Sequence, residues 1–160
     1  MAESLLVDGN SKDERYRTLL PQARALIAGE TDLVAALANL AAALNATFPR
    51  LWTGFYLVKG EQLVLGPFQG PIACTRITYG RGVCGAAWKE NRTFVVPDVD
   101  TFPGHIACSS SARSEIVVPV HDADGRIVAV LDIDADTPSA FDETDAAHLE
   151  DLVKALAPLF

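Results

Sequence analysis

From Asp13 to about Ala28, the residues Tyr16, Leu19, Leu20, Ala23, Leu26 and Ile27 recur at intervals of three and four. That spacing gathers apolar side chains on one face of a helix. Pro21 falls inside the run and is expected to kink or split the helix, because its ring removes a backbone donor. A second stripe, Leu33, Leu37, Leu40 and Leu44, runs through DLVAALANLAAALNATF, with Thr31 or Asp32 positioned to cap it. The period then changes. WTGFYLV and QLVLGPF, separated by KGE, carry the aromatic and β-branched residues and the glycine-containing turn of a hairpin. TFVVPD, EIVVPV and RIVAVLDID read as further strands, the last two joined across HDADG. Asp142 caps a final helix in which Ala146, Leu149, Leu152, Val153 and Leu156 return to helical spacing. Two stretches follow neither period, Gly66 to Gly82 and Asp98 to Ser114, and such lengths usually form lids or binding loops.

This order predicts one α+β domain over residues 1–160, with residues 1–12 as a flexible extension. Its sheet is mostly antiparallel, with the terminal helices on one face and the long loops over the other. The chain has 160 residues and is 49% hydrophobic, enough to bury a core without crosslinks. Its 21 acidic against 13 basic residues leave a net charge of −8, with no cluster of lysines and arginines. Nucleic acid and anionic membrane are therefore excluded as expected partners. The opening MAESLLVDGNSKDER lacks the basic start and apolar stretch of a signal peptide, and a cytoplasmic location is expected.

The chemistry gathers around three cysteines, Cys74, Cys84 and Cys108, each in or beside a long loop. A cytosolic domain with an odd cysteine count is not held by a disulfide framework, so the thiols are inert core residues, metal ligands or redox groups. His105 and Cys108 form an HxxC step that, with Cys74 and Cys84, makes a possible Cys₃His zinc set. Structural zinc generally takes a close cysteine pair from a tight turn, and this chain has none. The redox reading needs a nucleophile and a resolver: a thiolate that accepts oxygen becomes a sulfenic acid, which a second thiol condenses into a disulfide. In YGRGVCGAAWKEN, Cys84 falls near the start of a short helix, where unpaired N–H groups favour the thiolate. Arg76 and Arg81 either add positive charge there or are solvated loop residues.

LDID sets Asp132 and Asp134 on one face of a strand and Leu131 and Ile133 on the other. The two aspartates either line a polar pocket or cap the strand end in solvent, and Glu115, opening the neighbouring strand, is positioned to join them. Three carboxylates in a partly desolvated pocket do not all ionise, so one keeps a proton and can act as a general acid. Two aspartates at this spacing also suit a Mg²⁺ or Mn²⁺ ion.

The phrases WTGFYLV, LVLGPFQGPIACTRITYGRGVCGAAW, PGHIACSSSARSEIVVPV and LDID together resemble the free methionine-(R)-sulfoxide reductases, enzymes built on a GAF domain. The resemblance runs from about Ala28 into the last helix and includes all three cysteines. It implies a GAF-like, six-stranded antiparallel sheet and a homodimer formed largely by terminal helices. It also implies an enzyme that reduces free L-methionine (R)-sulfoxide to methionine. In that family pattern Cys108 is the nucleophile and Cys74 is favoured over Cys84 as the resolving thiol, the choice between the two staying open, with Cys84 able to form or relay a disulfide. Glu115, Asp132 and Asp134 correspond to the acids that bind the amino group and sulfoxide oxygen, and Trp52 to the wall against the thioether methyl. No metal or other cofactor is implied, because electrons come from thioredoxin and its NADPH-dependent reductase. The rival expectation is a GAF domain that senses a small ligand or its own oxidation without turnover.

Overall fold

A computed structural model describes residues 4–160. Helix α1 (Lys12–Ile27) starts at Ser11, whose side chain accepts the Glu14 N–H. Of the expected kink or split at Pro21, the split does not occur. The missing backbone bond costs about 3 kcal/mol in a helix interior, and the buried side chains of Tyr16, Leu19, Leu20, Ala23 and Ile27 on both sides of the proline offset it. Helix α2 (Leu33–Thr47) is capped by Asp32, which accepts from the Ala35 N–H. There follow β1 (Trp52–Lys59), β2 (Gln62–Gln69), β3 (Arg76–Thr78), α3 (Gly82–Glu90) and β4 (Phe94–Val96). A short 3-10 turn (Val99–Thr101) precedes β5 (Ser114–His121) and β6 (Ile127–Ala135). Helix α4 (Glu143–Val153) closes the order behind a reciprocal cap of Asp142 and Asp145, and its last turn tightens into a 3-10 segment (Lys154–Leu159).

The strands form one six-stranded sheet in the order β3-β2-β1-β6-β5-β4, with every neighbouring pair antiparallel. Strand alternation divides the residues between its faces. Phe55, Ile116, Val118, Leu131 and Ile133 pack with the buried faces of α1, α2 and α4. Trp52, Tyr56, Val117 and Val130 face the other way, against Val83, Cys84 and Ala87 of α3. The helices thus fall where the apolar stripes predict, and the loops stand over the second face.

Two expectations change in detail. The stretch Gly66 to Gly82 is not loop throughout: β2 continues to Gln69 and β3 is inserted, leaving residues 70–75 irregular. Cross-strand pairing of Gln69 with Thr53 and stacking of Phe68 on Trp52, centroids 5.2 Å apart, extend the hairpin. Of the expected N-terminal extension, residues 1–3 lie outside the described residues. The part that is described does not hang free, because the Leu6 N–H and carbonyl both bond the Gln22 side chain and the Asp8 carbonyl accepts from Thr18. Leu5 and Val7 also pack against the core. Among the described residues, no helix is long and apolar enough to cross a membrane.

Candidate active site

The second face of the sheet carries the acids. In the strand register Trp52 lies opposite Asp134, Gly54 opposite Asp132, and Glu115 opposite Asp134 on the other side. Trp52, Gly54 and Tyr56 therefore share a face with all three carboxyl groups. Gly54 has no room for a side chain, since a Cβ there would lie 2.4 Å from the Cβ of Phe68 and 2.7 Å from the Trp52 ring. The indole thereby rests flat across the strand, stacked between Tyr56 and Phe68.

Cys84 comes from the first turn of α3, with its side chain turned into the sheet and only 3% of the residue exposed. Its sulfur and carboxylate oxygens of Glu115 and Asp132 lie within 4.8 Å of one another. Above them Cys108, on the loop after the 3-10 turn, is joined by a disulfide to Cys74 of the irregular segment 70–75, with Cα atoms 5.5 Å apart. Trp52, Cys84, Cys108, Glu115, Asp132 and Asp134 line one cavity, in which about 40 Å³ of free space remains in this disulfide-bonded form. All seven residues singled out in the sequence are thus brought together, six in the cavity wall and Cys74 through its bond to Cys108. In this disulfide-bonded form Cys74 and Cys108 present no thiolate to a metal.

The model of the GAF domain family matches residues 28–159. The free methionine-R-sulfoxide reductase of Escherichia coli is 46% identical over 147 residues, 91% of this chain and 88% of that protein. The enzyme of the same name from Saccharomyces cerevisiae is 39% identical over 154 residues, 91% of this chain and 86% of that protein. The X-ray structure of free methionine-R-sulfoxide reductase from Neisseria meningitidis in complex with its substrate superposes with a TM-score of 0.95. It is 53% identical, covering 98% of this chain and 95% of that one. The chain belongs to the GAF-domain family of free methionine-R-sulfoxide reductases.

In this family member the electrostatics of the cavity follow from burial. Desolvation, reinforced by Asp134, pushes the Glu115 carboxyl up to about 8. Burial and the neighbouring acids raise Asp132 and Asp134 well above the usual carboxylate range. The expectation that Cys84 is an activated thiolate is corrected: burial, then the charges of Asp132, Glu115 and Asp134, push its thiol up, outweighing the start of α3. Cys84 donates its proton toward Asp132 and is the free cysteine of the protein. His105 Nε2 approaches Glu115 Oε2 to 3.6 Å, and burial lowers the imidazole while it raises the carboxyl, so both are neutral at pH 7.

These shifts have a consequence for stability. Folded Glu115 keeps its proton up to about 8, whereas the ordinary carboxyl releases it near 4.5. Across that window folded Glu115 holds more proton than unfolded Glu115, so its contribution to stability is fully present below about 4.5 and is lost as pH rises through about 8. Denaturant melts of the disulfide-bonded protein at intervals over this range are expected to show the fall, and Glu115→Gln is expected to flatten it. A wild-type stability that rises across the window would contradict the protonated assignment.

Sequence reasoning missed Tyr56. Its buried hydroxyl donates to the Cys74 carbonyl at 2.9 Å, tying the irregular segment 70–75 to the floor of the site. The signal was present in period two, because Tyr56 follows Trp52 by four strand residues on one face. His105 enters only as a possible zinc ligand in the sequence, whereas it faces Glu115 from the cavity wall.

Proposed function

We infer that this chain reduces free methionine (R)-sulfoxide to methionine, with Cys108 as nucleophile and Cys74 as resolving thiol. The observation that carries the reading is the Cys74–Cys108 disulfide above a buried cluster of protonated acids. Two polar atoms of that cavity, Trp52 Nε1 and Asp132 Oδ1, are buried without a protein partner. One is a donor and the other an acceptor, so a ligand with both an acceptor oxygen and an ammonium group satisfies them. A zwitterionic amino acid sulfoxide has that pairing. Its ammonium also brings a cation to acids that have none buried beside them, and its ionised state draws protons off part of the cluster.

The Cys108 thiolate attacks the sulfoxide sulfur while a cavity carboxyl, Glu115 by its poised proton, delivers a proton to the oxygen. The substrate S–O bond and the transient bond between the two sulfurs then break as the hydroxyl passes to the Cys108 sulfur, so methionine leaves as the thioether, reduced by two electrons, and Cys108 becomes a sulfenic acid. The Cys74 thiol then displaces that oxygen as water and closes the disulfide. An external dithiol returns both thiols to the reduced state, and we assign this to thioredoxin, itself reduced by the NADPH-dependent thioredoxin reductase. The chain works without a bound cofactor, as a cytoplasmic homodimer in this reading. The enclosed cavity suits a free amino acid, since a polypeptide would have to leave through its walls.

Reduced Cys74→Ser protein is expected to release about one methionine per chain and then stop, because its sulfenic acid has no resolver. Continued thioredoxin-driven turnover at the wild-type rate would overturn the resolving role. A sensor without turnover would release no methionine at all.

A further inference from the structure

The rim around the Cys74–Cys108 disulfide differs from the rest of the surface in two respects. Ile72, two residues before Cys74, is 91% exposed, and Ile106, two residues before Cys108, is 36% exposed. Tyr79, between the segment of Cys74 and α3, is 48% exposed. The other exposed large apolar side chains among the described residues, Leu6, Val34 and Phe160, lie on other elements. Ile72, Ile106 and Arg81 edge the cavity that Cys108 lines, and Arg76, Arg81 and Ile106 share one shallow depression beside it. Ile72, Arg76, Arg81 and Ile106 therefore lie together beside Cys108 of the disulfide.

The second respect is charge. Arg17, Arg24, Arg92 and Arg126 each hold a carboxylate partner. Arg15, Arg50, Arg76, Arg81 and Arg113 hold none among the described residues, and of these Arg76 and Arg81 stand on the patch. A chain with net charge −8 thus presents an apolar spot flanked by two uncommitted guanidinium groups at the bond that must be reduced in each cycle. Ile72, Arg81 and Ile106 also line the substrate cavity, whereas Arg76 edges the neighbouring depression and not the cavity, so substrate does not account for Arg76.

We propose that this rim is the docking surface for a protein reductant, a dithiol oxidoreductase whose reactive thiol sits in an apolar surface edged by carboxylates. The inference rests on the recycling step of the reading above. The partner's thiolate attacks one sulfur of the Cys74–Cys108 bond, which breaks as a mixed disulfide forms, and the released cysteine takes a proton from solvent. The partner's second thiol then displaces the second cysteine. Both electrons come from the partner, which leaves as a disulfide. Exposed apolar side chains supply contact area, and the arginines steer an acidic partner at a rate that falls with salt.

The test uses the oxidised protein without any sulfoxide, so that its outcome is independent of the substrate assignment. The second-order rate of reduction of the Cys74–Cys108 bond is measured with reduced thioredoxin and, separately, with dithiothreitol. Ile72→Glu and Arg76→Glu are each expected to lower the ratio of the thioredoxin rate to the dithiothreitol rate by tenfold or more. On the unchanged protein, raising ionic strength is expected to lower the same ratio, which needs no variant to fold. A ratio that stays within twofold in both variants and across the salt series would overturn the proposal, as would a thioredoxin rate no faster than that of dithiothreitol.

Discussion

Serine in place of Cys108 is expected to abolish methionine release, in single turnover as well as in steady state. The prediction follows from what accepts the oxygen. A thiolate can be oxidised to a sulfenic acid, whereas a serine hydroxyl has no corresponding two-electron step, so the loss is of the reaction and not of a fraction of its rate. Removing a covalent nucleophile elsewhere lowers turnover by roughly 10⁶-fold. Cys84 is not a substitute, because its thiol is buried beneath the acids and held protonated. The Cys108→Ser protein should still bind the sulfoxide, since Trp52, Glu115, Asp132 and Asp134 are untouched. Anaerobic mixing with free methionine (R)-sulfoxide, followed by amino-acid analysis, checks this. Methionine formed at even one equivalent per chain would move the nucleophile to another cysteine.

Glu115→Gln is expected to lower the rate of the first step by about 10²-fold or more, the scale of a lost general acid. Glu115 is buried opposite Asp134 with its carboxyl raised to about 8, so at pH 7 it holds a proton to give. The rate in the wild type should therefore fall as pH rises through the alkaline side of neutrality, where that proton is lost. Substrate shifts the midpoint downward, because the incoming ammonium favours the ionised acids. In the glutamine variant the fall assigned to this group should vanish along with most of the rate. Measuring single-turnover methionine release against pH in both proteins separates proton delivery from binding. An unchanged profile would place the proton on Asp132 or Asp134 instead.

Much of this fold was legible in the chain because its hydrophobic periods are clean. The stripes of Leu33, Leu37, Leu40 and Leu44 and of Ala146, Leu149, Leu152 and Leu156 have one burial solution each, against one face of a sheet. What periodicity could not convey was the effect of tertiary packing on local rules. Pro21 sits in an unbroken helix because side chains on both sides are buried, and the short strand β3 forms inside the expected loop by pairing with β2. The acids were identifiable from LDID and from Glu115 at the start of a neighbouring strand, as alternation places them on one face. Their partners were less visible. A helix start suggested a reactive Cys84, but the three carboxyl groups facing it come from strands about thirty to fifty residues away, and their combined effect reverses the sign. Tyr56 and His105 act through contacts across the fold, with Cys74 and Glu115 respectively, and no local spacing announces such pairs.

The central claim is that Cys108 takes the oxygen and Cys74 resolves it. The direct measurement mixes fully reduced protein with an excess of free methionine (R)-sulfoxide in the absence of reductant, quenches it with a thiol-blocking reagent, and maps the cysteines by mass. The account predicts one methionine formed for every two thiols lost, a Cys74–Cys108 linkage, and Cys84 recovered as the blocked thiol. Sulfoxide recovered intact with all three thiols free, or a disulfide built on Cys84, would contradict it.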